Sequence, residues 1–127
     1  MQSKLSAPSL ISLLWTSVVL NMVFADVLSI YTPGVLPQVM DGVVEGVTLS
    51  ENLMLIASVF IQLPVAMIVV THLLPERAAK GANTFSVIVT AAFVVGGGSL
   101  KPHYIFFASC EIIAMAGILF LTWRRAW

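Results

Sequence analysis

Four apolar stretches, each close to the length that crosses a bilayer, take up most of this 127-residue chain. A spanning helix needs roughly 20 mostly apolar residues. In hydrocarbon every backbone N–H and C=O has to be satisfied within the protein, which leaves helices or a closed barrel as the options. The runs here are too long and too continuous for alternating barrel strands. Hydrophobic residues make up 59% of the chain and charged ones 9%, with a mean hydropathy of +1.01. A soluble domain needs roughly 25% charged residues to cover its surface, so lipid is the expected solvent. The expectation is an all-α integral membrane protein, a four-transmembrane-helix bundle of up-down topology, folded as a single domain over residues 1–127.

Local signals place the spans. The first runs from about Pro8 to Tyr31, closed by Pro33-Gly34. The second runs from about Glu51 to Leu74, with Ser50 as N-cap and Pro75 as a stop. The third begins near Pro75, passes Glu76-Arg77-Ala78-Ala79-Lys80 at headgroup level, and ends at Gly96-Gly97-Gly98. The fourth runs from about Pro102 to Trp123, anchored by Arg124, Arg125 and Trp127. Residues 1–25 also fit a cleavable signal peptide, with Lys4, an apolar core and Val23-Phe24-Ala25; a retained first span is the preferred reading.

With four spans, both termini share a side with the 75–81 turn. That side holds Lys4, Arg77, Lys80, Arg124 and Arg125, against Lys101 alone on the other, which also carries Asp41, Glu45 and Glu51. The positive-inside rule then puts both termini in the cytoplasm. The connection over residues 32–50 lies outside, as a short interfacial helix or an irregular lid.

The polar residues within the spans carry the functional argument. An ionisable group in hydrocarbon costs about 2.5–3.5 kcal/mol on insertion scales and is a functional-site candidate by default. At a helical rise of about 1.5 Å per residue, Asp26 lies about 8 Å, Glu111 about 12–14 Å, and Asn21 and Gln62 about 15 Å below the outer helix ends. Tyr104, seven residues before Glu111, shares its face, and His103 and Tyr31 fall at the outer mouth. A polar pocket in the outer half is therefore expected, with Asp26 and Glu111 as its acid–base pair and Asn21, Gln62, Tyr104, His103 and Tyr31 as binding residues. Two neighbouring carboxyls in a low dielectric do not easily both ionise, and a proton-bearing and an ionised carboxyl together make a general acid and a general base. The bland readings are interhelical amide glue for Asn21 and Gln62, snorkelling for Asp26, and interfacial anchoring for His103 and Tyr104.

Other chemistries lack residues. Cys110 is the one cysteine, so no intrachain disulfide or cysteine metal cluster can form. His72 and His103 fall near opposite faces, and neither metal nor cofactor is expected. Gly96-Gly97-Gly98-Ser99 lacks the Lys-Ser/Thr pair of a phosphate loop. Zero net charge gives no footprint for nucleic acid.

The segments Phe24-Ala25-Asp26-Val27-Leu28-Ser29-Ile30-Tyr31, Gln62-Leu63-Pro64-Val65-Ala66-Met67, Ala82-Asn83-Thr84-Phe85 and Pro102-His103-Tyr104-Ile105-Phe106-Phe107 through Glu111 resemble the DUF6326 family of small four-span bacterial membrane proteins. The resemblance covers nearly the whole chain. It implies four helices in a bacterial cytoplasmic (inner) membrane and no activity. Gln62 stands where that family usually has a carboxylate, which removes one charge from the pocket.

Three functions compete. The first is a pocket that binds a small lipophilic molecule, with acid–base isomerisation or cyclisation as its chemistry. The second is a proton-linked transporter working as a homodimer, and the third is a structural accessory subunit. The charge asymmetry yields the first test: a reporter fused to the C-terminus that is active only in the cytoplasm should be active, and one that needs export should be silent.

Overall fold

The computed structural model describes residues 6–44, 46–97 and 101–124. Lys4, Glu45, Gly98, Ser99, Arg125 and Trp127, to which the sequence assigned roles, lie outside the described residues. Five helices and one small hairpin follow in order: α1 (Ala7–Tyr31), α2 (Val35–Asp41), β1 (Val43–Val44), β2 (Val47–Thr48), α3 (Glu51–Leu73), α4 (Glu76–Gly96) and α5 (Pro102–Arg124). Four of them, α1, α3, α4 and α5, are long and apolar enough to cross a membrane.

Helix boundaries follow from their caps. Ser6 accepts the Ser9 N–H at the start of α1, and Ser50 accepts the Leu53 N–H at 3.1 Å at the start of α3. Pro75 precedes α4, where its missing N–H leaves nothing unpaired. Gly97 closes α4 by donating its N–H to the Phe93 carbonyl.

The 32–50 connection is more ordered than a lid of irregular chain. Gly34 (φ 86°) and Gly42 (φ 84°) bracket α2, each in the left-handed conformation that glycine adopts without strain. A two-stranded antiparallel hairpin follows, pairing Val43 with Thr48 and Val44 with Val47, and the Leu49 N–H closes it onto the Gly42 carbonyl. This hairpin is the element the sequence reading lacked. Its strands are two residues each, too short for an alternation to register.

The spans form a ring in which α1 packs on α3 and α5, and α4 packs on the same two. Ile11, Trp15, Val18 and Met22 make one stripe along α1, spaced by three and four residues. Met67 of α3, Val87 of α4, and Ala114, Met115 and Ile118 of α5 pack against it. Gly117 lets α5 approach α1 closely, since a Cβ there would lie 3.2 Å from Leu14 Cδ1. Outward faces are apolar too, with Leu55, Val59, Ile88, Ile113 and Phe120 all exposed, as lipid contact requires.

Several polar residues point inward, among them Ser12, Thr71, Asn83, Ser86 and Thr90. On α4 the buried stripe is Ala79, Asn83, Ser86, Val87, Thr90 and Val94. Asn83, 0% exposed, joins three helices: Trp15 Nε1–H of α1 donates to its Oδ1 at 2.7 Å, and the Thr71 hydroxyl of α3 lies 3.4 Å from the same oxygen. Its Nδ2 donates back to the Ala79 carbonyl at 2.9 Å. Ser12 adds a bond from α1 to the Ile68 carbonyl of α3 at 2.8 Å. Nearer the surface at this end, Trp123 Nε1–H donates to Thr84 Oγ1 at 2.9 Å. Lys80 pairs there with Glu76 at 3.4 Å and lies 5.7 Å from the Trp123 ring centroid.

Removing the Asn83 amide orphans a buried indole N–H, so Asn83→Leu should lower stability by about 1–3 kcal/mol. Thr84→Val, which breaks the exposed bond to Trp123, should change it by no more than about 0.6 kcal/mol. Reversible unfolding in mixed micelles measures both.

Candidate functional site

At the end of the bundle opposite the Asn83 clamp, the helices do not close. A cavity of about 200 Å³ lies between them, lined by Met22, Ala25 and Asp26 of α1, Ala57 and Ile61 of α3, Phe93 and Val94 of α4 with the following Gly97, and Tyr104 and Glu111 of α5. Residues late in α1 and α4 thus meet residues early in α3 and α5. A second chamber of about 160 Å³ shares Asp26, Gly97 and Tyr104 with the first and adds Ser29, Val35, Val44 and Lys101. Val35 opens α2 and Val44 belongs to the hairpin, so the connection between α1 and α3 walls this outer chamber.

The packing explains why space remains. Small side chains, Ala25 and Ala57, face inward where larger ones would meet, and Gly97 has no side chain between the chambers. A Cβ at Gly97 would lie 3.1 Å from the Phe93 carbonyl. Phe93 is drawn aside into a stack with Phe60 of α3, ring centroids 5.3 Å apart and planes 11° from parallel. Pro64, buried inside α3, has no N–H to offer the Phe60 carbonyl one turn earlier.

Asp26 and Glu111 line the same cavity but in different settings. Glu111 is 3% exposed, and its Oε1 finds no hydrogen-bond partner among the described residues. Asp26 is exposed along its helix and borders both chambers. Tyr104, half-buried, also borders both. One turn deeper than Val94 on the same face of α4, Thr90 has a second buried polar atom without a partner, its Oγ1. Counted from the helix ends, Thr90 lies about 10 Å and Glu111 about 14 Å down. Of these two oxygens, which find no partner among the described residues, that of Glu111 borders the cavity, while Thr90 lies buried on α4 outside its lining.

His103 sits at the rim. The Ser29 hydroxyl donates to the Ala25 carbonyl at 2.8 Å, which uses its proton, so at 3.1 Å it accepts from His103 Nε2–H. This bond ties α5 to α1 beside the outer chamber.

The remaining expected residues lie elsewhere. Gln62 is exposed on the perimeter of α3; the 3.6-residue period turns Ile61 and Ala57 inward in its stead. Asn21 is half-buried and donates to the Ser17 carbonyl of its own helix at 2.8 Å, so it neither borders the cavity nor bridges helices. Tyr31 ends α1 at 78% exposure. Conversely, Thr90, Phe93, Ser29 and Lys101 belong to this region and were not singled out. On α4, Asn83, Ser86 and Thr90, three and four residues apart, make a polar stripe that marks the inward face. Among the described residues no cluster of three or more His, Cys, Asp or Glu side chains could hold a metal ion.

A buried acceptor without a partner lowers stability by about 1–3 kcal/mol. Glu111→Met keeps the volume and removes the orphan, so its unfolding stability should equal or exceed that of the parent. A loss above about 1 kcal/mol in micellar unfolding would assign Glu111 a structural role.

No curated protein and no solved structure matches the chain. A family profile does, over residues 4–127: the chain belongs to the family of unknown function DUF6326.

Proposed function

We propose that the paired chambers bind a small lipophilic molecule, and that Asp26 and Glu111 exchange protons with it. Glu111 carries this reading: a deeply buried carboxyl, open to a cavity, with an oxygen that no protein group satisfies. Buried polar groups in native proteins are paired in the great majority, and an unpaired one calls for a specific reason. Here the reason is a ligand. Its apolar body packs on Met22, Ile61 and Phe93, while Tyr104 and the two carboxyls supply its polar contacts. One carboxyl giving a proton as the other receives one is the means for isomerisation or cyclisation without a cofactor.

Access runs through the outer chamber, past Lys101 and Ser29 and under Val35 and Val44. The short helix and hairpin are then the lid, on the outer side of a bacterial cytoplasmic membrane with both termini inside. The excess of Lys and Arg at the opposite end supports that orientation.

The transporter reading has one observation in its favour. Gln62 is exposed in the middle of the most apolar span, with no hydrogen bond to any described residue. A second copy of the chain, meeting it amide to amide, would satisfy it. Against transport stands the far end of the bundle, where Trp15, Asn83 and Thr71 close the route inward.

Native mass spectrometry of the protein released from nanodiscs tests the binding reading. A small molecule should travel with the parent chain and be depleted by at least about tenfold in Glu111→Gln, the loss of one charge-assisted hydrogen bond. Equal occupancy in both would remove Glu111 from the site.

A further inference from the structure

We infer that the ligand of this cavity is a protonated amine on a compact apolar body, with its ammonium seated against Glu111. The inference rests on the binding reading above and adds the chemical class. Glu111 Oε1 is buried without a donor, and among the described residues no hydrogen bond or ion pair reaches the Asp26 carboxylate either. Two carboxyls thus border one cavity with no protein donor spent on them. A guest fits this lining by bringing hydrogens to give, and an ammonium brings three.

The surroundings discriminate among cations. Calcium and magnesium take six or more oxygens, waters included, and among the described residues no three His, Cys, Asp or Glu side chains gather to hold a softer metal. The walls offer two carboxyls, a phenol and otherwise apolar side chains, Met22, Ile61, Phe93 and Val94. That ratio suits an organic cation, whose charge goes to the carboxyls and whose hydrocarbon lies on the rest. Phe93, held in its stack with Phe60, adds an aromatic wall that tolerates a nearby positive charge. Thr90 leaves a hydroxyl unpaired on the inner side of Val94.

Charges of the other sign are placed at the rim. Lys101 borders the outer chamber only, beside Asp26, and His103 is engaged by Ser29. A carboxylate guest would meet Lys101 outside and, within, a carboxyl pair that already disfavours further negative charge. A neutral alcohol would satisfy Glu111 with one hydrogen and leave Asp26 unanswered.

Equilibrium dialysis on the full chain in nanodiscs, with empty nanodiscs subtracted, separates these cases. The probes share one shape: cyclohexylmethylamine, cyclohexylmethanol and cyclohexanecarboxylate. The amine should bind most tightly, and Glu111→Gln should weaken it by about 10- to 100-fold while leaving the alcohol nearly unchanged. Ala57→Phe, which fills the cavity wall, should abolish binding of both. If Glu111→Gln does not fold, Asp26→Asn carries the same expectation for the amine.

Two results would overturn the inference in distinguishable ways. Alcohol or carboxylate binding as tightly as the amine, still abolished by Ala57→Phe, would refute the cationic class and keep the pocket. Binding of no probe above empty nanodiscs, or binding indifferent to Ala57→Phe, would remove the pocket and the class together.

Discussion

The bundle depends on a single amide. Lipid tails are as apolar as the side chains they surround, so burying leucine against leucine gives membrane helices little reason to associate. What distinguishes the inside from the outside is packing and polarity, and Asn83 supplies the polarity at a junction of three helices. Its Oδ1 takes the Trp15 indole N–H while Thr71 lies beside it, and its Nδ2 returns to the backbone of α4. Each partner is useless alone: an indole N–H or an amide turned toward hydrocarbon would go unpaired. The contact therefore sets the rotation of α1, α3 and α4 about their own axes. The apolar stripe of Ile11, Trp15, Val18 and Met22 falls against the other helices as a consequence.

That rotation also decides what happens at the other end. With Trp15 turned inward, the same face of α1 brings in Met22 and Ala25, and Asp26 follows at the edge of the space beyond. On α4, the face that buries Asn83 continues through Thr90 to Val94. The two ends differ in kind. At the clamp, every polar group of Asn83 is answered by protein. Beyond it, the Glu111 oxygen that borders the cavity and the Thr90 hydroxyl buried on α4 find no partner among the described residues, whereas Thr71 and Thr122 bond to backbone carbonyls of their own helices.

The connection between α1 and α3 fits this division. Two left-handed glycines pin α2, and the hairpin folds back so that Leu49 bonds to Gly42. Backbone bonds, with little core behind them, hold this segment over the outer chamber. Segments held in this way open locally at lower free energy than packed helices do.

Composition, span length, caps and stop signals were enough to determine four membrane helices and their limits, because those properties are local: a Ser that caps, a Pro that stops, twenty apolar residues in a row. Which residues share a level of the bundle was legible in part, since a helix converts residue number into distance along its axis, and Asp26, Tyr104 and Glu111 border one cavity. Facing was not. In α1 and α3, apolar on every side, no amphipathic stripe tells which side looks inward, so Gln62 and Asn21 point elsewhere, while α4 shows its inward face through Asn83, Ser86 and Thr90. Only the packing of the helices on one another, with Asn83 joining three of them, settles the other rotations, because a polar side chain in lipid has its orientation chosen by where a partner is found.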